Sequence, residues 1–69
     1  MSKFSDASRV IMGMKPSEYQ PIFSTMGIEL DQTIHSGLAL IKALKIVRES
    51  DRRDEFVLEL DSVLVLEKH

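Results

Sequence analysis

Residues 31–50 read DQTIHSGLALIKALKIVRES, and this stretch governs how the rest of the chain can be arranged. Asp31 is a favourable N-cap, and the apolar residues behind it recur at helical spacing, which predicts a helix of about five turns. Ile34, Leu38 and Ile41 form one stripe at i, i+4 and i+7; Leu40, Leu44 and Val47 form a second, extended by Ala39, Ala43 and Ile46. At about 100° per residue the polar side chains fall on one narrow face around His35, Lys42, Lys45 and Glu49. A helix apolar over roughly two thirds of its girth must be covered on several sides. One short chain has little else to cover it with, and a second copy of the same helix can do so. An intertwined homodimer is therefore expected.

The size of the chain points the same way. Its 69 residues bound it to one domain, and a domain this small buries only about 60% of its unfolded surface. Small domains add disulfides, a metal or a partner chain. There is no Cys, which excludes disulfides and thiolate metal sites. The two His, His35 and His69, are far apart in sequence, so no metal or cofactor is expected. Association is the remaining stabiliser, and an apolar content of 43% can supply it.

Nine Lys and Arg stand against eleven Asp and Glu, a net charge of −2. A dedicated nucleic-acid binder usually carries a basic surplus, although a local patch weighs more than the sum. The opening residues MSKFSDASRV lack the apolar core of a signal peptide, and the apolar runs LALI and VLVL are too short to span a bilayer. A cytoplasmic location without a membrane partner is the expectation. No nucleophile with a base, and no paired carboxylates, stand out by spacing, so no enzyme activity is expected.

Working outward from the long helix, residues 1–8 are small and polar apart from Phe4 and read as a flexible arm. Residues 9–15, RVIMGMK, alternate: Val10, Met12 and Met14 point one way, and Arg9, Ile11, Gly13 and Lys15 the other, which predicts a strand with one buried face. Pro16 ends that strand. A short helix over roughly residues 21–26 follows, with Pro21 at its first position and Gly27 as a left-handed stop. The dimerisation domain thus runs over 9–50. Residues 50–55, SDRRDE, read as a polar turn. The tail FVLELDSVLVLEK alternates again, with Phe56, Leu58, Leu60, Leu64 and Leu66 on one side. It predicts a C-terminal β extension within 51–69, as one strand or as two turning at Asp61-Ser62.

The order strand, short helix, glycine, long helix resembles the ribbon-helix-helix DNA-binding proteins (the CopG/Arc/MetJ-like family). The run GIELDQTIHSGLALIKAL, with Gly27, Ile28, Asp31, Ile34, Leu38 and Ile41, is similar to their link and second helix, and RVIMGMK before PSEY is similar to their strand and first-helix entry. The resemblance implies an α+β fold in which one strand from each chain pairs into a ribbon that enters the major groove of DNA. It places Arg9, Ile11 and Gly13 toward the bases, with Lys3 and Lys15 for phosphate. It also places the backbone N–H groups of Glu29, Leu30 and Asp31 on phosphate. Val10, Met12, Met14, Ile34, Leu38, Ile41 and Leu44 would form the dimer core. Ile11 and Gly13 offer no side-chain hydrogen bonds, and Glu29 and Asp31 put negative charge where phosphate would sit.

On that reading the protein is a small dimeric DNA-binding transcription regulator of repressor or antitoxin type. Two alternatives stand beside it. One is a protein-binding inhibitor or adaptor of phage or mobile-element type, whose tail residues Phe56, Leu58, Leu60, Leu64 and Leu66 add a strand to a partner's sheet. The other is a structural oligomer subunit.

Overall fold

The computed structural model describes the backbone of residues 3–67 and the side chains of residues 3–65. Among the described residues four helices follow one another: α1 (Lys3–Met12), α2 (Pro16–Thr25), α3 (Ser36–Glu49) and α4 (Arg53–Glu67). Among the described residues there is no strand. The α+β class, the paired ribbon and the C-terminal β extension are overturned, and the ribbon-helix-helix resemblance falls with them.

At the N-terminal end two periodicities compete. Val10, Met12 and Met14 alternate over a few residues only. Phe4, Ala7, Ile11 and Met14 recur at i, i+3, i+7 and i+10, a longer helical register that wins. α1 buries Ala7 and Ile11 and half-buries Phe4, and Met14, just past its end, is half-buried in the same register. The helix reaches back to Lys3, so residues 3–8 belong to the packed fold instead of forming an arm.

At the C-terminal end the alternation of residues 56–66 is real but is carried on a helix. Leucine and glutamate are strong helix formers. Asp54 and Glu55 put negative charge in the first turn, where the helix dipole favours it. A period of two steps about 200° around a helix, so apolar side chains end up on every side of α4. The fold uses this spread, because α4 packs against α1, α2 and α3. Phe56 and Leu60 are fully covered, with Val57, Val63 and Leu64 packed around them.

The links follow local rules. Lys15 is extended (φ −79°, ψ 153°), as the residue before a proline tends to be, and Pro16 opens α2 at its first position. The Lys15 N–H donates to Glu18 Oε1 at 2.8 Å. Pro16 therefore begins a helix rather than ending a strand, and Pro21 lies inside that helix. Gly27 (φ 74°) ends α2 in the left-handed conformation expected of it. Its N–H donates to the Ser24 carbonyl at 2.9 Å, and that of Ile28 to Phe23 at 2.8 Å, a Schellman turn with Phe23 and Ile28 both buried. α3 ends in the same way, with Asp51 (φ 57°) in the glycine position and the Arg52 N–H donating to Val47 at 3.0 Å.

α3 starts at Ser36 with His35 as its N-cap, four residues later than predicted. The Asp31 carboxylate accepts from the Thr33 N–H at 2.9 Å and the Thr33 hydroxyl at 2.6 Å, closing a local turn. Capping falls to His35, whose Nδ1 accepts from the Gly37 N–H at 3.1 Å.

A row of aromatic rings runs through the core. Phe4 meets Phe56 edge-on at 5.7 Å, Phe56 stacks on Phe23 at 5.6 Å, and Phe23 meets Tyr19 edge-on at 6.2 Å. These rings tie α1, α4 and α2 together, each pair adding about 0.5–1.5 kcal/mol beyond its burial. The inner face of α3 closes the core with Leu40, Ala43 and Val47. Arg52 pins the α3–α4 turn to the end of α2, its Nη2 donating to the Met26 carbonyl at 2.8 Å.

Candidate functional site

The residues assigned to DNA do not converge on one surface. Ile11 is fully buried, while Arg9 sits exposed on α1. Lys3 lies at the start of α1, and Gly13 and Lys15 lie in the link to α2. Glu29, Leu30 and Asp31 belong to the loop before α3, so their N–H groups are not the start of a helix. The reason in each case is the helical register of α1 and the late start of α3.

The residues assigned to a dimer core divide in two. Met14, Ile34 and Leu44 are half-buried. Val10, Met12, Leu38 and Ile41 are 44–56% exposed. Of the tail residues assigned to a partner, Phe56 and Leu60 are taken by the core, Leu64 is half-buried and Leu58 is 67% exposed. The side chain of Leu66 lies outside the described residues.

The arrangement with most chemical character is a groove between α1 and α3. Both helices stand on α4 and touch each other little, which leaves a furrow of about 490 Å³ between them. Phe4 and Met12 line it from α1, and Ile41 and Leu44 from α3. Arg9, Lys45 and Arg48 form its rim. The α3 members follow from spacing: positions 41, 44, 45 and 48 lie on one side of a helix. Lys45 Nζ lies 4.0 Å from Glu49, an exposed pair of little strength. Arg9 and Arg48 have no ion pair among the described residues. Ser8 lines the same groove, its Oγ closed off from solvent with no hydrogen-bond partner.

The shifted ionisable groups lie elsewhere. Two hydrogen bonds from Thr33, the hydroxyl's the stronger influence, hold the Asp31 carboxyl below its ordinary range. The hydrogen bonds from Arg52 hold the Glu55 carboxyl low, and Glu55 in turn raises Arg52. Both fasten bends in the chain. Among the described residues no three His, Cys, Asp or Glu side chains come together in a way that could hold a metal. No helix among them is long and apolar enough to cross a membrane.

Sequence reasoning named Met12, Ile41 and Leu44 as dimer-core residues but put Met12 on a strand, with Ile41 and Leu44 on the long helix. It placed Lys45 on a solvated face and passed over Arg48. The helical recurrence of Phe4, Ala7, Ile11 and Met14 was the available signal that would have set Met12 and Arg9 beside α3. No protein family, curated protein or solved structure matches the chain.

Proposed function

We propose that this protein is a non-catalytic interaction module whose α1–α3 groove receives an amphipathic, acidic helix from a protein partner. The observation that carries this is the pairing of an apolar floor, Phe4, Met12, Ile41 and Leu44, with a rim of three cations, Arg9, Lys45 and Arg48. Helices dock in such grooves through apolar anchors at i, i+3 or i+4, and i+7. Cations at the rim select carboxylates beside those anchors and steer the encounter. Duplex DNA is the weaker fit. A phosphate backbone rewards cations over a hydrophilic surface, whereas these flank exposed Met12 and Ile41 on a chain of net charge −2.

A titration of the 15N-labelled protein tests this. The probes are a synthetic helical peptide with leucines at i, i+4 and i+7 flanked by glutamates, and a short duplex DNA at low salt. Saturable shifts of the Met12, Ile41, Leu44 and Arg48 amide signals with the peptide are expected, weakened by salt and lost in Ile41→Asp. A peptide that moves none of these signals overturns the proposal, and a DNA-specific response at α3 replaces it with a nucleic-acid reading.

A further inference from the structure

We infer that the helix this groove receives is α4 of a second copy of the same chain, in a reciprocal two-fold dimer. The inference rests on the groove reading above and names its occupant.

The outward face of α4 has the required form. Leu58, Asp61, Ser62 and Val65 stand together on it at i, i+3, i+4 and i+7. Leu58 is 67% exposed and Val65 57%, so two apolar side chains stand uncovered at i and i+7, with polar Asp61 and Ser62 between them. Over residues 53–65 Arg53 and Glu55 are engaged at the α3–α4 turn by Asp51 and Arg52, which leaves Asp54, Glu59 and Asp61 to set the charge of the helix. α3 has the opposite balance, with Lys42, Lys45 and Arg48 against Glu49. The groove is thus apolar with a cationic rim, and the α4 face sets two apolar anchors on either side of an acidic Asp61.

Topology lets one chain give and receive at once. α1 has the groove on its α3 side, and on its other side a furrow shared with α4, lined by Asp6, Val10, Val57, Asp61 and Leu64 among others. A two-fold axis running along α1 exchanges these sides. Each α4 then lies in the α1–α3 groove of the other copy, and the two α1 helices pair across the axis. The contact closes on itself and does not propagate into a filament. It brings Asp61 of each copy to the Arg9, Lys45 and Arg48 rim of the other. It also covers Val10, Met12, Ile41, Leu58 and Val65, five of the seven large apolar residues exposed among the described residues of a lone copy. For a domain of this size such burial is a main route to stability.

A charge-swap experiment on the full chain, read by sedimentation equilibrium, tests the dimer. The groove variant is Arg9→Glu with Arg48→Glu, and the face variant is Asp6→Lys with Asp61→Lys. Circular dichroism checks that each keeps the wild-type helix content. Wild type is expected as a dimer whose dissociation constant rises with salt. Each variant alone sets like charges against each other and weakens self-association at least about 100-fold. Mixed in equal amounts they regain the dimer mass, because both contacts are then complementary. A wild-type monomer at submillimolar concentration overturns the inference, as does a dimer indifferent to either variant or variants that fail to restore each other. If a variant loses its helices, Leu58→Gln with Val65→Gln serves in its place, and a retained dimer again overturns it. If the wild type is monomeric but the glutamate-flanked peptide still occupies the groove, the second copy is excluded and the interaction module stands.

Discussion

The inner and outer halves of α3 are built from the same kinds of residue and meet opposite fates. Leu40, Ala43 and Val47 are 0–4% exposed against α4 and the aromatic row, whereas Leu38, Ile41 and Ile46 on the same helix are 48–56% exposed. Burying one such side chain stabilises a fold by about 1.5–3 kcal/mol. The outer residues forgo most of that in a single copy. α3 therefore carries more apolar surface than one chain uses, and the excess on the α1 side coincides with the cationic groove. On the proposed reading, stability and recognition are separated by face within one helix.

The largest test of that division is Phe56→Ala. Phe56 is fully buried between Phe4 and Phe23, so its truncation leaves a cavity at the middle of the aromatic row. The expected cost is about 3–5 kcal/mol, comparable with the whole stability of a domain this small. Urea unfolding followed by circular dichroism should show the cooperative transition displaced close to zero denaturant or lost. A variant that unfolds within about 1 kcal/mol of wild type would mean that the inner half is not the core.

The sequence made α3 legible and its neighbours illegible for the same reason. Over residues 36–49 apolar positions recur at one period for long enough to admit one reading, and the helix, the stop at Gly27 and the exposed greasy face all follow. In α1 the helical register begins at Phe4, inside a stretch whose polarity suggested an arm, and the alternation of Val10, Met12 and Met14 masked it. In α4 alternation and helix coexist, because a helix packed on three others needs no single apolar face. Only tertiary context decides such a case. The groove was half legible: its α3 wall could be read from spacing, but its α1 wall required the correct register.

Next in size are the two Schellman turns, which bracket the covered side. Gly27 and Asp51 both hold left-handed backbone, one without and one with a side chain. Gly27→Ala should cost about 1–2 kcal/mol, the usual penalty for a Cβ in that conformation. Asp51→Gly should gain about 0.5–1 kcal/mol by removing one, less the added freedom of the unfolded chain. Thermal melts of the two variants should shift in opposite directions, and a common direction would show that the turns are not equivalent.

Smaller still is the effect of polishing the outer half. Leu38→Gln with Ile41→Gln should change unfolding free energy by no more than about 0.5 kcal/mol per site under conditions where the protein is monomeric, as exposed positions do. The same variant should lose its response to the glutamate-flanked peptide and to a second copy. A loss of folding on the scale of Phe56→Ala would erase the distinction between the two halves.

The slightest expected effect concerns the polar fastenings of the covered side. Asp31 is held by Thr33, and Glu55 is gripped by Arg52 through two contacts of 2.8 Å, from Nε and Nη2. Both carboxyls have folded-state pKa values below their ordinary range. A group depressed in this way stabilises the fold fully above its unfolded pKa, and that contribution fades as pH falls through the folded value. The melting temperature should therefore be level near neutrality and decline only when pH enters and passes below the ordinary carboxylate range. Exposure to water keeps the decline shallow. Glu55→Gln should remove part of it while leaving the neutral-pH dimer mass unchanged, because Arg52 and Glu55 fasten the α3–α4 turn and take no part in the groove. A Glu55→Gln protein that sediments as a monomer would place the α3–α4 turn within the recognition surface and redraw the boundary between the two sides of the molecule.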